Sequence, residues 1–356
     1  MTEKGHKIIV IAPSGSPLFK RAKKMGIQVS PVSFNRLAQM GEYSRLKKIF
    51  AAETPFAVNC HGQNDAGPAL KAAGKTGVDC RIISQHAGSR IKKAWFIKGL
   101  YNQYCDYIFT DSPKTISLLQ KFFKIKNIRI FSIPGGIIEP TTLPHKTEAQ
   151  KELSFRFGLP PDTRFVGFTG QMPLSRMGDM ILQTFESIKT QLPHHMVIAS
   201  DQPQVFPSDL KENLVRATQG RIHFLDFEEA AWTLYRALDC MVFLPKKDEA
   251  RQAPGIPQRL LEIMYAQCPV IAPKHSGITD IINHSQNDLL FDHDSQEKRI
   301  GQLVLQTIYQ KSEALKGAAA DAGEHIRKHH TIDAMGRDIL RIYRLHQIRL
   351  EKERHF

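Results

Sequence analysis

Ten short apolar runs, separated by amphipathic stretches, constrain this chain more than any other feature. KIIVIAP, AVNCH, CRIISQ, YIFTD and IRIFSIP come first, and FVGFTG, HMVIAS, RIHFLD, DCMVFLP and CPVIAP follow. Runs this short and continuous read as strands covered on both faces, and the stretches between them are long enough for crossover helices. The sequence therefore predicts an α/β chain with parallel, doubly wound sheets. Such sheets gather ligands at the carboxyl ends of their strands. The polar, proline-bearing stretch from Glu139 to Thr163 interrupts the alternation. It predicts one domain over 1–138 and a second over 164–330. Residues 332–356 carry Arg, Leu and Ile at helical spacing and predict a terminal helix. No internal repeat is evident.

At 356 residues and 42% hydrophobic, the chain can bury two cores. No apolar run approaches the roughly 18 residues that span a bilayer. The start, MTEKGHKIIVIAP, enters a strand without a signal-peptide pattern, and Cys60, Cys80, Cys105, Cys240 and Cys268 show neither pairing nor metal spacing. The expected location is cytoplasmic. A formal charge of +14 calls for an acidic partner. RLKKIF, RIKKAWFIKGLYNQY and KFFKIKNIRIF set cations beside Trp95, Phe96, Phe122 and Phe123. That composition suits an anionic membrane surface, at about 1 kcal/mol per cation. A merely solvated basic face is the bland alternative. No nucleic-acid-binding motif accompanies the charge, so nucleic acid is not the expected partner.

The stretch Pro254 to Phe291 reads as helix, buried strand and helix-opening loop. Leu260, Leu261, Ile263 and Met264 form an apolar helix face around one carboxylate, Glu262, ahead of the strand CPVIAP. The loop Lys274-His275-Ser276-Gly277 leads into Ile278 and a helix start, where backbone N–H groups can face a phosphate. FVGFTGQMPLSRMGDM is a second strand, turn and helix, with Thr169, Gly170 and Gln171 at the turn and Arg176 just inside the helix. In the first half His61 and Asp65 follow the strand AVNC, and His86 follows CRIISQ. A carboxylate at a strand end can accept or orient a hydroxyl proton, and a histidine can steady developing charge. A lone strand-end histidine is as readily a structural residue. Ser14, Gly15 and Ser16 form a turn after the first strand that suits a backbone approach to an anion. No metal-binding cluster is present, and Asp226 and Asp239 stand on separate elements.

In order from residue 4 to residue 291, these segments resemble the family 4 glycosyltransferases. The resemblance implies the GT-B fold: two Rossmann-like parallel-sheet domains facing a cleft, with a C-terminal helix crossing back onto the first. It implies a retaining, metal-independent transfer of a sugar from a UDP- or GDP-linked donor, with no cofactor. The relatives with the most similar first-domain motifs build lipopolysaccharide cores and similar surface glycans. The implied acceptor is thus a bacterial lipid-linked or lipopolysaccharide glycan, met peripherally at the inner face of the plasma membrane. Glu262 takes the place of the glutamate that holds the ribose. Arg176 stands for a lysine, and Gln171 for an arginine, that grip the diphosphate. Thr169 and Gly170 keep the turn; Ser276, Gly277 and Ile278 complete the donor loop. His61, Asp65 and His86 fall on the acceptor side. Pro254 occupies the place of the pattern's first glutamate, which orients the transferred sugar, with Glu249 in the preceding loop. Lys4-Gly5-His6 and Ser14-Gly15-Ser16-Pro17-Leu18 match the later part of the family's opening, so its first strand, glycine loop and helix are missing. The alternative reading makes KIIVIAP the ordinary first strand. Two other functions fit the same fold: a binding or scaffolding protein without transfer, and an isomerase acting on nucleotide-sugars.

Overall fold

The computed structural model describes residues 5–34, 39–61, 63–85, 95–111, 113–170, 174–200, 206–245, 255–274, 277–282, 289–292, 298–310 and 312–354. The chain forms two compact units, Met1–Pro134 with Met335–Phe356, and Gly135–Ala334.

The first unit runs β1 (Ile9–Ala12), α1 (Pro17–Lys24), β2 (Gln28–Pro31), α2 (Gln39–Glu53), β3 (Ala57–Cys60), α3 (Gln63–Lys75), β4 (Cys80–Ser84), α4 (Trp95–Gln103), β5 (Tyr107–Thr110), α5 (Pro113–Phe123) and β6 (Ile130–Ser132). Strands β3, β4, β5 and β6 form a four-stranded sheet in that order, and β1 pairs with β2 separately; every pairing is parallel. The two sheets share one apolar core. Ile11 and Phe34 pack against the cluster that also holds Leu46, Phe50, Cys60, Leu70 and Ile108. Local chemistry sets the element ends. Ser16 Oγ accepts the N–H of Phe19 at 3.2 Å and Pro17 opens α1, whose exit is Gly26 at φ +72°.

The second unit contains α6 (Lys146–Arg156), β7 (Phe165–Gly170), α7 (Leu174–Ile188), β8 (His195–Ser200), α8 (Ser208–Ala217), β9 (Ile222–Asp226), α9 (Phe227–Ala237), β10 (Cys240–Leu244), α10 (Gln258–Tyr265), β11 (Val270–Pro273), α11 (Thr279–Ile282), β12 (Leu289–Phe291), α12 (Lys298–Leu305) and α13 (Ser312–His329). Its six strands are parallel in the order β12-β11-β10-β7-β8-β9. Helix α7 shows why the amphipathic stretches fold as they do. Met177, Met180, Ile181, Phe185 and Ile188 are buried at helical spacing, each worth about 1.5–3 kcal/mol in burial. The stretch 139–163, read in the sequence as a divider, holds α6, whose Ala149 and Leu153 are fully buried in the second unit's core. Two apolar residues one turn apart are enough to dock a helix, and polar neighbours mask them in a hydropathy reading.

Helix α14 (Ile332–Arg354) begins in the second unit and lies with the first over most of its length. Ile342 packs with Cys80, Ile82, Tyr107, Phe109 and Ile133. His346 pins the helix: Nε2 donates to the Asp79 carbonyl at 2.9 Å, so Nδ1 is the acceptor for the Tyr107 hydroxyl, also at 2.9 Å.

Candidate functional site

Chain order and strand order together point to one place in the second unit. From β7 the chain winds outward through β8 and β9, then returns to the other side of β7 with β10, β11 and β12. The reversal lies between β7 and β10, and a doubly wound sheet opens a crevice at the carboxyl ends of such a pair. Gly170 and Leu244 meet there in register. A Cβ on Gly170 would stand 1.8 Å from the Leu244 carbonyl oxygen, and its φ is +152°, so only glycine fits. Thr169, one residue earlier, is buried at 3% exposure. Gln171 lies outside the described residues.

Helix α7 starts at Leu174 with no acidic residue in its first turn, and Arg176 there is exposed. A cation in the first turn opposes the helix dipole. An anion at the same point gains from both the dipole and the guanidinium, which gives Arg176 a reason to stand there.

Glu262 sits on α10, one polar residue among buried Leu260, Leu261, Ile263, Met264 and Tyr265. Its Oε2 accepts from Arg259 Nη1 at 3.1 Å and from the Tyr235 hydroxyl at 3.3 Å. Gly277 has φ +90° and leads to fully buried Ile278 and the short helix α11. Ser276, Pro254 and Glu249 lie outside the described residues.

In the first unit His61 directly follows β3 and is exposed, while Asp65 stands in the first turn of α3, half-buried. Burial raises the Asp65 carboxyl above its ordinary value, a direction that suits a group handling protons. His86 lies outside the described residues. Its neighbour Gln85 is buried and accepts from the Tyr101 hydroxyl at 2.7 Å. Burial pushes the Cys60 thiol far up, so it is a core residue and no nucleophile. Ser14 and Gly15 form the turn after β1, with Gly15 at φ +85°, and Ser16 uses its hydroxyl to cap α1. Phe123 is buried in the first unit's core and Phe122 packs against it, so both rings are committed to the interior. The side chains of Trp95 and Phe96 lie outside the described residues.

Sequence reasoning missed Arg259 and Tyr235. Arg259 was legible as an (i, i+3) partner of Glu262, whereas nothing local ties Tyr235 to that carboxylate.

Residues 163–308 match the family model described as Glycosyl transferases group 1. No curated protein sequence matches the chain. Among solved structures, a glycosyltransferase from Rickettsia africae superposes with a TM-score of 0.77 at 16% identity, covering 97% of this chain and 92% of that one. HepE from Anabaena, crystallised with UDP, gives 0.71 at 12% identity, with 95% and 99% covered. MurG from Acinetobacter baumannii gives 0.57 at 11%, with 97% and 92% covered. The carboxyl ends of β7 and β10 fall inside the matched region, and the chain thus has the GT-B fold with a segment, residues 163–308, that matches the Glycosyl transferases group 1 model.

Proposed function

We propose that the protein is a retaining, metal-independent glycosyltransferase that moves a sugar from a UDP- or GDP-linked donor to a lipid-linked or lipopolysaccharide glycan. The observation that carries the reading is the junction of Gly170, Leu244 and the start of α7, at the sheet's reversal point and within the matched region. Gly170 brings the main chain close, Arg176 offers a planar cation to a diphosphate, and Glu262 is an acceptor suited to ribose hydroxyls. Crystal structures of Anabaena HepE hold UDP, and UDP-glucose, which favours the uridine series for the first trials. In the transfer the bond from the anomeric carbon to the diphosphate oxygen breaks, and the electron pair leaves with the diphosphate. The acceptor hydroxyl oxygen forms the new bond and gives up its proton to the departing diphosphate oxygen. Charge stabilisation at the leaving diphosphate falls to Arg176 and backbone N–H groups, with no divalent ion or cofactor assigned a step. Asp65 and His61 are the acceptor-side candidates of the first unit.

The acceptor class rests on surface chemistry. Lys121, Lys124 and Lys126 are exposed beside Ile128, which is 79% exposed. Helix α14 turns Arg337, Arg341 and Arg344 outward with exposed Leu345 and Ile348. Cations interleaved with apolar side chains suit an anionic membrane face, and peripheral attachment at the cytoplasmic surface follows. Among the described residues no helix is long and apolar enough to cross a membrane.

Calorimetry with UDP- and GDP-sugars, followed by donor turnover with and without EDTA, tests the proposal. Binding with EDTA-insensitive donor hydrolysis supports it. Failure to bind either nucleotide would turn the reading to a scaffolding role, and loss of turnover on chelation would remove the metal-independent part.

A further inference from the structure

We infer that Tyr235 and Arg259 are positioning residues that fix the Glu262 carboxylate for a nucleotide ribose, and that they set the protein's preference for ribose over deoxyribose. This rests on the proposed donor site. Three bonds close a ring among these side chains. Arg259 Nη1 donates to the Tyr235 hydroxyl at 3.1 Å and to Glu262 Oε2 at 3.1 Å, and the Tyr235 hydroxyl donates to the same Oε2 at 3.3 Å. Both donors meet the carboxylate at Oε2.

The surroundings make the ring rigid. Tyr235 is fully buried, and Trp232 meets its ring edge-on at a centroid separation of 6.0 Å. Burial pushes its hydroxyl far above the ordinary tyrosine range, so it remains a proton donor throughout working pH. Arg259 and Glu262 keep 27% and 17% of their side-chain surfaces exposed. They are reachable by a ligand yet shielded enough for the ion pair to hold its geometry. Arg259 also stands in the first turn of α10, where the helix dipole disfavours a cation. Its place there is accounted for by the bonds to Tyr235 and Glu262. A glutamate on an exposed helix face samples several rotamers, and fixing one before binding removes part of the ordering cost that a ribose contact otherwise carries.

The test is calorimetric affinity for UDP and GDP against their 2′-deoxy and 3′-deoxy counterparts, with thermal unfolding measured in parallel. Tyr235→Phe keeps the buried ring and removes only the hydroxyl; Arg259→Gln removes the charge; Arg259→Lys restores a cation with a different shape. The expected result is a ribose preference in the unaltered protein that falls by about tenfold in Tyr235→Phe and Arg259→Gln. Affinity for the deoxy nucleotides is expected to hold, with partial recovery in Arg259→Lys. Folded variants that keep the full ribose preference would overturn the positioning role alone, leaving the donor site standing. An unaltered protein that binds neither UDP nor GDP would overturn the donor site and this inference with it.

Discussion

Arg164 closes a two-bond fork on Asp239: Nε donates to Oδ2 at 2.7 Å and Nη2 to Oδ1 at 2.7 Å. The pair joins the residue just before β7 to the residue just before β10, at the amino ends of the two strands whose carboxyl ends form the candidate crevice. Lys146 and His194 add bonds to the same carboxylate at 2.9 and 3.2 Å. Burial alone would raise the Asp239 carboxyl; the bonds from His194 and Arg164 and the Lys146 charge outweigh it and hold it well below the ordinary range. Asp239→Asn is expected to cost about 2–3 kcal/mol in urea unfolding, discounted because the Arg164 side chain is half exposed and can turn to water. Arg164→Met should cost less, since Asp239 keeps Lys146 and His194. A larger loss from the arginine change would show that the carboxylate is not the hub. A depressed carboxyl contributes its stability above the unfolded value near 3.9 and loses it as pH falls through the folded value. This contribution is therefore complete at neutral pH.

Two glycines among the candidate residues should behave differently on substitution. Gly170→Ala sets a methyl carbon against the Leu244 carbonyl and is expected to destabilise the second unit by about 3 kcal/mol or more. Gly15 has a positive φ but nothing within 4 Å of a built Cβ, so Gly15→Ala should cost only about 1–2 kcal/mol of backbone strain in the first unit. Melting temperatures of the two variants provide the comparison, and equal shifts would contradict it.

Stability should fall on mild acidification. Burial, then the His195 charge, lowers His223 to about 4; burial, then the charges of His325 and His329, lowers His330 to about 4. Both are held neutral in the fold while the unfolded chain protonates near 6.5. Their stabilisation is thus fully present above about pH 6.5 and is lost as pH drops toward 4. His223 stacks on Phe157 at 4.3 Å between ring centroids, so His223→Phe keeps a ring there and removes one titration. Urea midpoints at about pH 7.5 and about pH 5 should differ less in that variant than in the unaltered protein. An unchanged difference would exclude His223 as a source.

Glu262→Ala and Arg176→Ala should each weaken nucleotide affinity by about 1–3 kcal/mol, the range for charged hydrogen bonds. Raising salt should erode the Arg176 effect more, because that side chain is exposed. Affinity unchanged in either variant would take that residue out of the site.

The outer edge of β3 offers a further check on the first unit. Among the described residues β3 pairs only with β4, and Ala57, Val58 and Asn59 are half-exposed, whereas every residue of β5 is buried. Amide hydrogen exchange should therefore be faster in Ala57–Cys60 than in Tyr107–Thr110. Equal protection of both strands would mean that the edge of β3 is covered.

All ten apolar runs read from the sequence are strands; those such as β5 and β10 are fully covered, as consecutive apolar residues imply, whereas β1 and β3 keep half-exposed residues. Strands β2, with the sequence QVSP, and β12, three residues long, escaped that reading. The first is polar and half-exposed, and the second is too short to show a pattern. Gly170, Arg176 and Glu262 were visible because turns and helix faces are set by neighbours within four residues, and Arg259, though within that reach of Glu262, was passed over. The burial of Phe123, the Asp239 hub and the Tyr235 hydroxyl beneath Glu262 were decided only by tertiary structure. They join residues from 27 to 93 positions apart, such as Tyr235 with Glu262 and Lys146 with Asp239, and local spacing carries no record of such pairings. Strand order is the same kind of fact. The chain states which segments become strands, but the core that buries them decides that β7 and β10 lie side by side, and with that where the candidate site opens.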